Sequence, residues 1–497
     1  MIEDLRKKID ALDKEIIELF LQRMETTNKV GAYKRENNIQ TLDSSREKSI
    51  MEKIQAQAPE KMDLALVSLY QEIFKISKYY QDLEGQTFGL VGHPLGQSLS
   101  PLIHKNFAYD YELFDLDEDS FEKFMEEKAF KGINVTIPYK IKVMDYLDWV
   151  SPLAERIGSV NTVVNKNGRL YGYNTDYQGL AYIIERAQIN LNDRLVLILG
   201  TGGAARTAHT LAEDLGAKYI RHISRSGPFS YDNIGESKDY EVIINATPVG
   251  MYPHNGDVPL DLRLFPRLEG LVDLIYNPLR TQLVLDAMDL GVKTAPGLAM
   301  LVSQAFYASQ HFTGYDLPDY LRQSILLNLE KSKENICLIG MPGSGKTSLA
   351  REVARLSGRA FADTDLEIEK IKGMTCQDII EKEGIQAFRL IEKDVIEKIS
   401  TDQGQVIATG GGSILDRENL DRLRSSSQLV YIKRDLARLS HEGRPLSQGP
   451  GAIERLYMER KSLYEEAGNF AVQVREGQIS ETAKEILKGF EDENTSS

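Results

Sequence analysis

Two glycine-rich turns of different design stand in this chain: GTGGAA at residues 200–205, after the apolar run RLVLIL, and GMPGSGKT at 340–347, after NICLI. The first has the form of a dinucleotide turn, in which glycines let backbone approach a pyrophosphate at a helix N-terminus. Its candidate contacts are Gly200, Gly202, Gly203 and Ala204. The second is a complete GxxxxGK[ST] loop: Gly343, Ser344, Gly345 and Ser348 frame phosphate, Lys346 reaches the β- and γ-phosphates, and Thr347 offers a hydroxyl to magnesium. Each turn needs its own strand, loop and helix, so the sequence predicts more than one enzyme in one chain.

Other polar residues add chemistry around these turns. At the end of the strand after the first turn, where an NAD site would place an acid, the chain has Ser224, Arg225 and Ser226. A cation between two hydroxyls suits a 2′-phosphate and favours NADP. Near the N-terminus, Arg23 and Lys34 are eleven residues apart, which at about 100° per residue returns them to nearly one helix face. An inward Arg/Lys pair suits an anionic ligand, and Arg6, rotated away, suits delivery to a neighbouring subunit. The plainer alternative is a coiled dimerisation helix with solvated charges.

The elements that must position these groups can be read from periodicity. Leu5, Ile9, Leu12, Ile16 and Leu19 mark one long amphipathic helix to about Glu36. A second helix is expected from near Asp43, with Pro59 as its interruption, and a third from about Asp63 to Gln81. Beyond Gly85, short apolar runs such as FGLVG, GINVTI, VIINAT and GLVDLIY alternate with helical periods, predicting an α/β architecture with largely parallel sheets. The charged stretch from Glu330 to Glu334 marks another boundary, and the polar tail from Glu491 is expected to be disordered. With 497 residues the chain is too long for one core. The expected domains are an all-α helical domain over 1–85, an α/β domain carrying the dinucleotide turn over 86–333 and an α/β P-loop domain over 334–497. Within the second, 86–185 is the substrate part, 186–300 a Rossmann NADP-binding part and 301–333 returning helices.

A net charge of −14 argues against nucleic acid or an anionic membrane as partner, since either calls for a concentrated basic face. The two cysteines, Cys337 and Cys376, offer neither a disulfide framework nor a metal cluster and suit a reducing compartment. The N-terminus lacks the apolar core of a secretion signal, and no stretch reads as a membrane span. A cytoplasmic location is expected.

Longer patterns carry resemblances. The order Arg6, Arg23, VGAYK ending at Lys34, LDSSRE with Asp43, Arg46 and Glu47, then Ser77 and Gln81 resembles the all-helical class of chorismate mutase. That resemblance implies an intertwined dimer in which Arg23 and a partner-subunit Arg6 hold two carboxylates. Lys34 and Gln81 would donate to the breaking ether oxygen, and Glu47 would take the hydroxyl with Arg46, Asp43 and Ser77 in support. Residues 86–330 are similar to shikimate dehydrogenase through GHPLGQSLSPLIHKN, NVTIPYK, GSVNTV, GYNTD, INATPVGM, DLIYNP and PGLAMLVSQA. The family pattern implies that Ser98 and Ser100 hold the substrate carboxylate and that Thr136, Asn161 and Gln304 bind hydroxyls. It places Lys140 and Asp176 at the reacting oxygen, and Tyr276 and Gly297 at the cofactor. Residues 334–490 resemble shikimate kinase through FADTDLEIE, FRLIE, ATGGGS, GRPL and ERKSLY. There Asp365 would orient the attacking hydroxyl, Arg389 and Arg460 would hold the carboxylate beside Gly411 and Gly412, Arg444 would reach the phosphoryl from a lid, and Asp363 would support magnesium. Ile385 replaces the glutamate usual in that family, and Ser-Arg-Ser replaces the usual Asn-Arg-Thr.

The combined expectation is a trifunctional enzyme of aromatic amino acid biosynthesis that uses NADP(H), ATP and Mg²⁺. Its reactions would be chorismate to prephenate, 3-dehydroshikimate to shikimate, and shikimate to its 3-phosphate. Two alternatives stay open: a helical segment that senses chorismate or prephenate and dimerises without catalysis, and a dehydrogenase or kinase acting on quinate or another small polyol.

Overall fold

In this computed structural model all residues are described except 38, 40–43, 60, 97, 226–228, 232–233, 235–237, 440–451, 476 and 497. Two compact units emerge, residues 1–175 with 304–318, and residues 176–303 with 319–497.

The first unit begins with three helices, α1 (Ile2–Glu36), α2 (Ser44–Gln57) and α3 (Asp63–Leu83). The C-terminal half of α1 lies against α3, and Gly31 makes the approach possible: a Cβ there would stand 2.9 Å from Gln81 Cγ. Arg35 closes the crossing with a 2.9 Å bond to the Gln81 carbonyl and an ion pair to Glu84 at 3.0 Å. The N-terminal half of α1 is different. Leu5, Ile9, Leu12, Ile16 and Leu19, the stripe that predicts the helix, are each more than half exposed.

After the helices comes a six-stranded sheet of β1 (Phe88–Gly92), β2 (Glu112–Asp115), β3 (Gly132–Val135), β4 (Trp149–Val150), β5 (Thr162–Lys166) and β6 (Arg169–Tyr173), in the order β2-β1-β3-β5-β6-β4. It is mixed rather than parallel throughout, because β5 pairs antiparallel with β3 and β6. The reversal is the two-residue hairpin Asn167-Gly168, both at positive φ (56° and 83°), which matches the twist of the flanking strands. Phe121, Met125, Ile133, Val163 and Leu170 fill one face of the sheet. The far half of the helix Leu298–Thr313 completes this unit. Phe312 packs directly over Gly132, where a Cβ would lie 2.3 Å from the ring. Tyr109 Oη meets Ser309 Oγ at 2.6 Å and His104 Nδ1 at 2.7 Å.

The second unit holds two five-stranded sheets, both fully parallel. One comprises β7 (Leu195–Leu199), β8 (Tyr219–Ile223), β9 (Val242–Asn245), β10 (Gly270–Asp273) and β11 (Lys293–Pro296), ordered β11-β10-β9-β7-β8. The other comprises β12 (Asn335–Ile339), β13 (Ala360–Asp363), β14 (Gln405–Ala408), β15 (Ser427–Lys433) and β16 (Phe470–Gln473), ordered β13-β14-β12-β15-β16. Their central strands are buried throughout, which is why they read as unbroken apolar runs. In each sheet the glycine turn follows the first strand, at the edge of the crevice where strand order reverses.

The tail is a correction. Instead of being disordered, residues beyond Glu491 continue the helix Ile479–Ser496. Ile486 and Phe490 are buried in the same core as Leu349 and Val353, so the apolar face of the earlier turns carries the polar end along. The two parallel sheets also meet. Arg280 donates to the carbonyls of Arg424 (2.8 Å) and Ser427 (2.8 Å) and to Glu334 (2.6 Å). Asp289 accepts from Arg424 at 2.8 Å and pairs with Arg417.

Candidate active sites

Between α1, α2 and α3 lies a cavity of about 560 Å³ lined by Arg23, Lys34, Arg46, Glu47, Ser77 and Gln81. Six of the eight residues expected at this site therefore converge. Arg23 Nη1 donates to Ser77 Oγ at 2.5 Å, and burial lowers the Arg23 pKa. Gln81 Nε2 donates to the Thr27 carbonyl at 3.2 Å. Arg6 is exposed near the start of α1 and is not a wall of the cavity; Asp43 lies outside the described residues. Lys78, Thr26 and Thr27 also face the space. Sequence reasoning missed them, and Lys78 had only its place beside Ser77 as a signal.

In the first sheet, Thr136 follows β3 and Asn161 immediately precedes β5, the antiparallel neighbour of β3. The Asn161 carboxamide is fixed on Thr175, accepting from its N–H at 2.7 Å and donating to its hydroxyl at 3.1 Å. Thr136 is held by a 2.9 Å bond from its N–H to the Val91 carbonyl. Ser98 Oγ accepts from the Ser100 N–H at 3.2 Å and Ser100 is buried. Lys140 is half-buried and its carbonyl accepts from Val160 N at 2.8 Å, while Gln304 is buried in the same unit. Asp176, buried, opens the helix Asp176–Arg186 of the second unit.

At the dinucleotide turn, Gly202 caps the twelve-residue helix Gly203–Asp214, with Ala204 in its first turn. A Cβ on Gly202 would meet nothing within 4 Å, so the space beside this helix N-terminus is open, as anion binding there requires. Gly200 has φ 106°, and a Cβ there would press on the Ala246 carbonyl at 3.1 Å. Gly297 lies so close to the Leu274 carbonyl (2.4 Å from a Cβ) that no side chain fits. Ser224 and exposed Arg225 follow β8 at its carboxyl end, where an adenosine 2′-phosphate would be met; Ser226 lies outside the described residues. Tyr276 is half-buried, and burial raises its phenol pKa.

The phosphate loop opens a cavity of about 400 Å³ lined by Gly343, Gly345, Lys346, Thr347, Ser348, Asp365, Arg389, Gly411, Gly412 and Arg460. Lys346 Nζ is folded over the loop, donating to the carbonyls of Gly340 (2.9 Å) and Met341 (3.0 Å). Ser344 is buried. Asp363 divides its carboxylate. Oδ1 caps the helix Thr364–Lys372 through the N–H groups of Asp365 and Leu366, while Oδ2 accepts from Thr347 Oγ1 at 2.7 Å. A hydroxyl and a carboxylate side by side form a hard-oxygen pair of the kind magnesium takes. In the first turn of that helix, burial among Asp363, Glu392 and Glu369 raises Asp365 to a pKa of about 6, against the opposing pull of Lys346. Arg389 pairs with the fully buried Glu392, which also accepts from Ser413 Oγ at 2.7 Å. Arg460 Nη1 donates to the Gly411 carbonyl at 3.0 Å, and Tyr464 donates to the same oxygen.

Arg444 lies outside the described residues. Arg434 was missed by sequence reasoning. It follows β15, the neighbour of β12, lines the cavity and brings Nη1 within 3.5 Å of a Cβ on Gly345. Its only signal was its position at the carboxyl end of a strand beside the phosphate-loop strand. Among the described residues, no helix is long and apolar enough to cross a membrane.

Comparison with known proteins matches three stretches of the chain to three families. The chorismate mutase type II model covers residues 5–82, the shikimate dehydrogenase substrate binding domain model 90–163, and the shikimate kinase model 342–491. The shikimate dehydrogenase (NADP(+)) of Clostridium perfringens strain 13 is 38% identical over 265 residues, covering 49% of this chain and 98% of that protein. The enzyme of the same description from Caldanaerobacter subterraneus is 38% identical over 261 residues, covering 47% of this chain and 93% of its own length. A solved chorismate mutase/shikimate 5-dehydrogenase fusion from Clostridium acetobutylicum is 35% identical, with TM-score 0.47, covering 50% of this chain and 98% of that one.

Proposed function

The chain belongs to the shikimate dehydrogenase family and carries that domain between a chorismate mutase and a shikimate kinase domain; from this premise we propose which residues carry out three reactions in one polypeptide. It is a multifunctional enzyme of the shikimate pathway that uses NADP(H) and ATP with magnesium. The observation that carries the reading is that the matched segments coincide with polar constellations of the right chemistry. The kinase cavity is the clearest case.

There Asp365, poised near neutrality, orients and accepts the proton of the attacking shikimate hydroxyl. Arg389 and Arg460 hold the carboxylate against the Gly411-Gly412 backbone, a task suited to paired guanidiniums. Lys346 would take phosphate oxygens in place of its two carbonyl contacts, and Thr347 with Asp363 would hold magnesium, which supplies charge neutralisation at the phosphates. Arg444 is assigned the transferred phosphoryl. Positioning and charge neutralisation are what phosphoryl transfer asks of a protein.

In the dehydrogenase, NADPH supplies a hydride. Ser98 and Ser100 bind the carboxylate of 3-dehydroshikimate, Thr136, Asn161 and Gln304 bind its hydroxyls, and Lys140 with Asp176 handles the proton at the carbonyl oxygen. Asn161 is locked by Thr175, so its hydrogen-bonding face is fixed before substrate arrives. Gly200, Gly202, Gly203, Ala204, Ser224, Arg225, Tyr276 and Gly297 hold the dinucleotide.

The mutase reaction needs orientation and preorganised charge rather than a nucleophile. Arg23, Lys34, Arg46 and Gln81 supply both to chorismate, with Glu47 and Ser77. The exposed apolar stripe of α1 supports a homodimer that buries it and brings Arg6 of a second copy to the cavity; contiguous exposed apolar surface of this kind marks an interaction site. The test is a three-way assay of the purified chain: NADP⁺ reduction with shikimate, ADP release with shikimate and ATP, and loss of chorismate absorbance. Three rates are expected. A silent mutase would favour the sensing module, and preference for quinate would change the substrate assignment.

A further inference from the structure

The second unit joins the dinucleotide sheet to the phosphate-loop sheet in a particular way. In doubly wound sheets the ligand sits over the carboxyl ends of the strands, and here two such ends are gripped from the kinase side. The loop after β9 runs through Tyr252, whose hydroxyl donates to the Ser400 carbonyl at 3.1 Å. The loop after β10 runs from Tyr276 to Arg280, and Asn277 Oδ1 accepts from Gln403 Nε2 at 3.0 Å. The two loops are also tied together, Tyr252 N–H to the Asn277 carbonyl at 3.3 Å.

The inner end of the second loop is anchored within its own sheet. Asp273, fully buried, accepts from Thr281 Oγ1 (2.6 Å), Asn245 Nδ2 (3.0 Å) and Ile275 N–H (3.1 Å). Its outer end is anchored in the other sheet, where Arg280 spends its guanidinium on Glu334 and two carbonyls, and its N–H donates to the Ser425 carbonyl at 3.0 Å. Tyr276 stands between the two anchors. A loop that lacks helix or strand bonds of its own owes its conformation to such side-chain ties.

We infer that the kinase part serves as a positioning element for the dehydrogenase: Gln403 and the Ser400 carbonyl hold the Asn277 and Tyr252 loops so that Tyr276 meets NADP(H) preformed. The inference rests on the assignment of Tyr276 to the cofactor site. Loosening the loop adds an ordering cost to cofactor binding and leaves the kinase chemistry alone, because neither Gln403 nor Tyr252 lines the phosphate-loop cavity.

The experiment uses the full chain with Gln403→Ala and Tyr252→Phe. Each removes the side-chain tie of one loop, and at least a roughly fivefold rise in KM for NADP⁺ is expected from each, the size of one neutral hydrogen bond that orders a loop. The dehydrogenase kcat and the kinase KM for ATP stay within twofold, and hydrogen exchange at residues 274–280 quickens. Gln403→Glu restores the wild-type KM, since a carboxylate can accept from the Asn277 amide once that amide turns. Unchanged KM for NADP⁺ in both variants overturns the inference, as does a parallel loss of kinase activity, which would mean a general structural role. Absence of NADP⁺-dependent shikimate oxidation in the wild-type chain would instead overturn the dehydrogenase reading itself.

Discussion

Asp365 carries two opposite pH dependences. Its carboxyl, raised to about 6 chiefly by burial, must be ionised to accept a hydroxyl proton, so the kinase rate should climb as pH rises through about 6. Its effect on stability has the other sign. Below the ordinary carboxylate range both folded and unfolded chains hold the proton, and the stability from the raised group is fully present; it is lost as pH rises through about 6. Asp365→Asn should lower kinase kcat by about a hundredfold or more and flatten the acid limb of the rate profile. Arg434 makes a separate prediction. Arg434→Ala should raise KM for ATP roughly tenfold, the size of one charge-assisted hydrogen bond, while AMP binding by calorimetry stays unchanged. Equal weakening of AMP would remove it from the β- and γ-phosphates. Conversely, the phosphate loop was legible because its eight residues are contiguous, whereas Arg434 becomes functional only through the adjacency of β15 and β12, which sequence order hides.

At the scale of elements, the crossing of α1 and α3 is set by one missing side chain. Gly31→Val would drive a branched side chain into Gln81 Cγ, and mutase kcat should fall by more than tenfold while NADP⁺ reduction and ADP release are kept. The first sheet has its own liability in His104, stacked on Tyr111 at 3.9 Å between ring centroids. Burial lowers its pKa to about 3, so the unfolded chain takes up a proton that the folded one refuses. Stability is present above the ordinary histidine pKa and is lost as pH falls toward 3, by about 1.4 kcal/mol per pH unit. Protection factors in β1 and β3, with the intrinsic exchange rate corrected for pH, should therefore be lower at pH 5 than at pH 7, and less so in His104→Gln. The three N-terminal helices and the buried parallel strands were readable because period and apolar runs are local. The antiparallel turn into β6 was present in Asn167-Gly168 but was masked by the surrounding alternation, and the helical tail depends on a core formed by distant residues.

Across the whole molecule, the reactions should be separable at their chemistry. Lys140→Ala should abolish NADP⁺ reduction and leave the mutase and kinase rates nearly intact; joint loss of all three would indicate an architecture in which no part holds its shape alone. Separable chemistry does not imply separable folding. The first sheet is capped by Phe312 over Gly132 and by Ser309 on Tyr109, yet residues 176–303 of the other unit intervene in the chain. On the ribosome this sheet emerges with its aromatic pit open and must wait, uncapped, until the entire dinucleotide sheet has been synthesised. A nascent chain arrested before residue 304 lacks both Ser309 and Phe312, so the first unit gains its cap only after the entire dinucleotide sheet has been made.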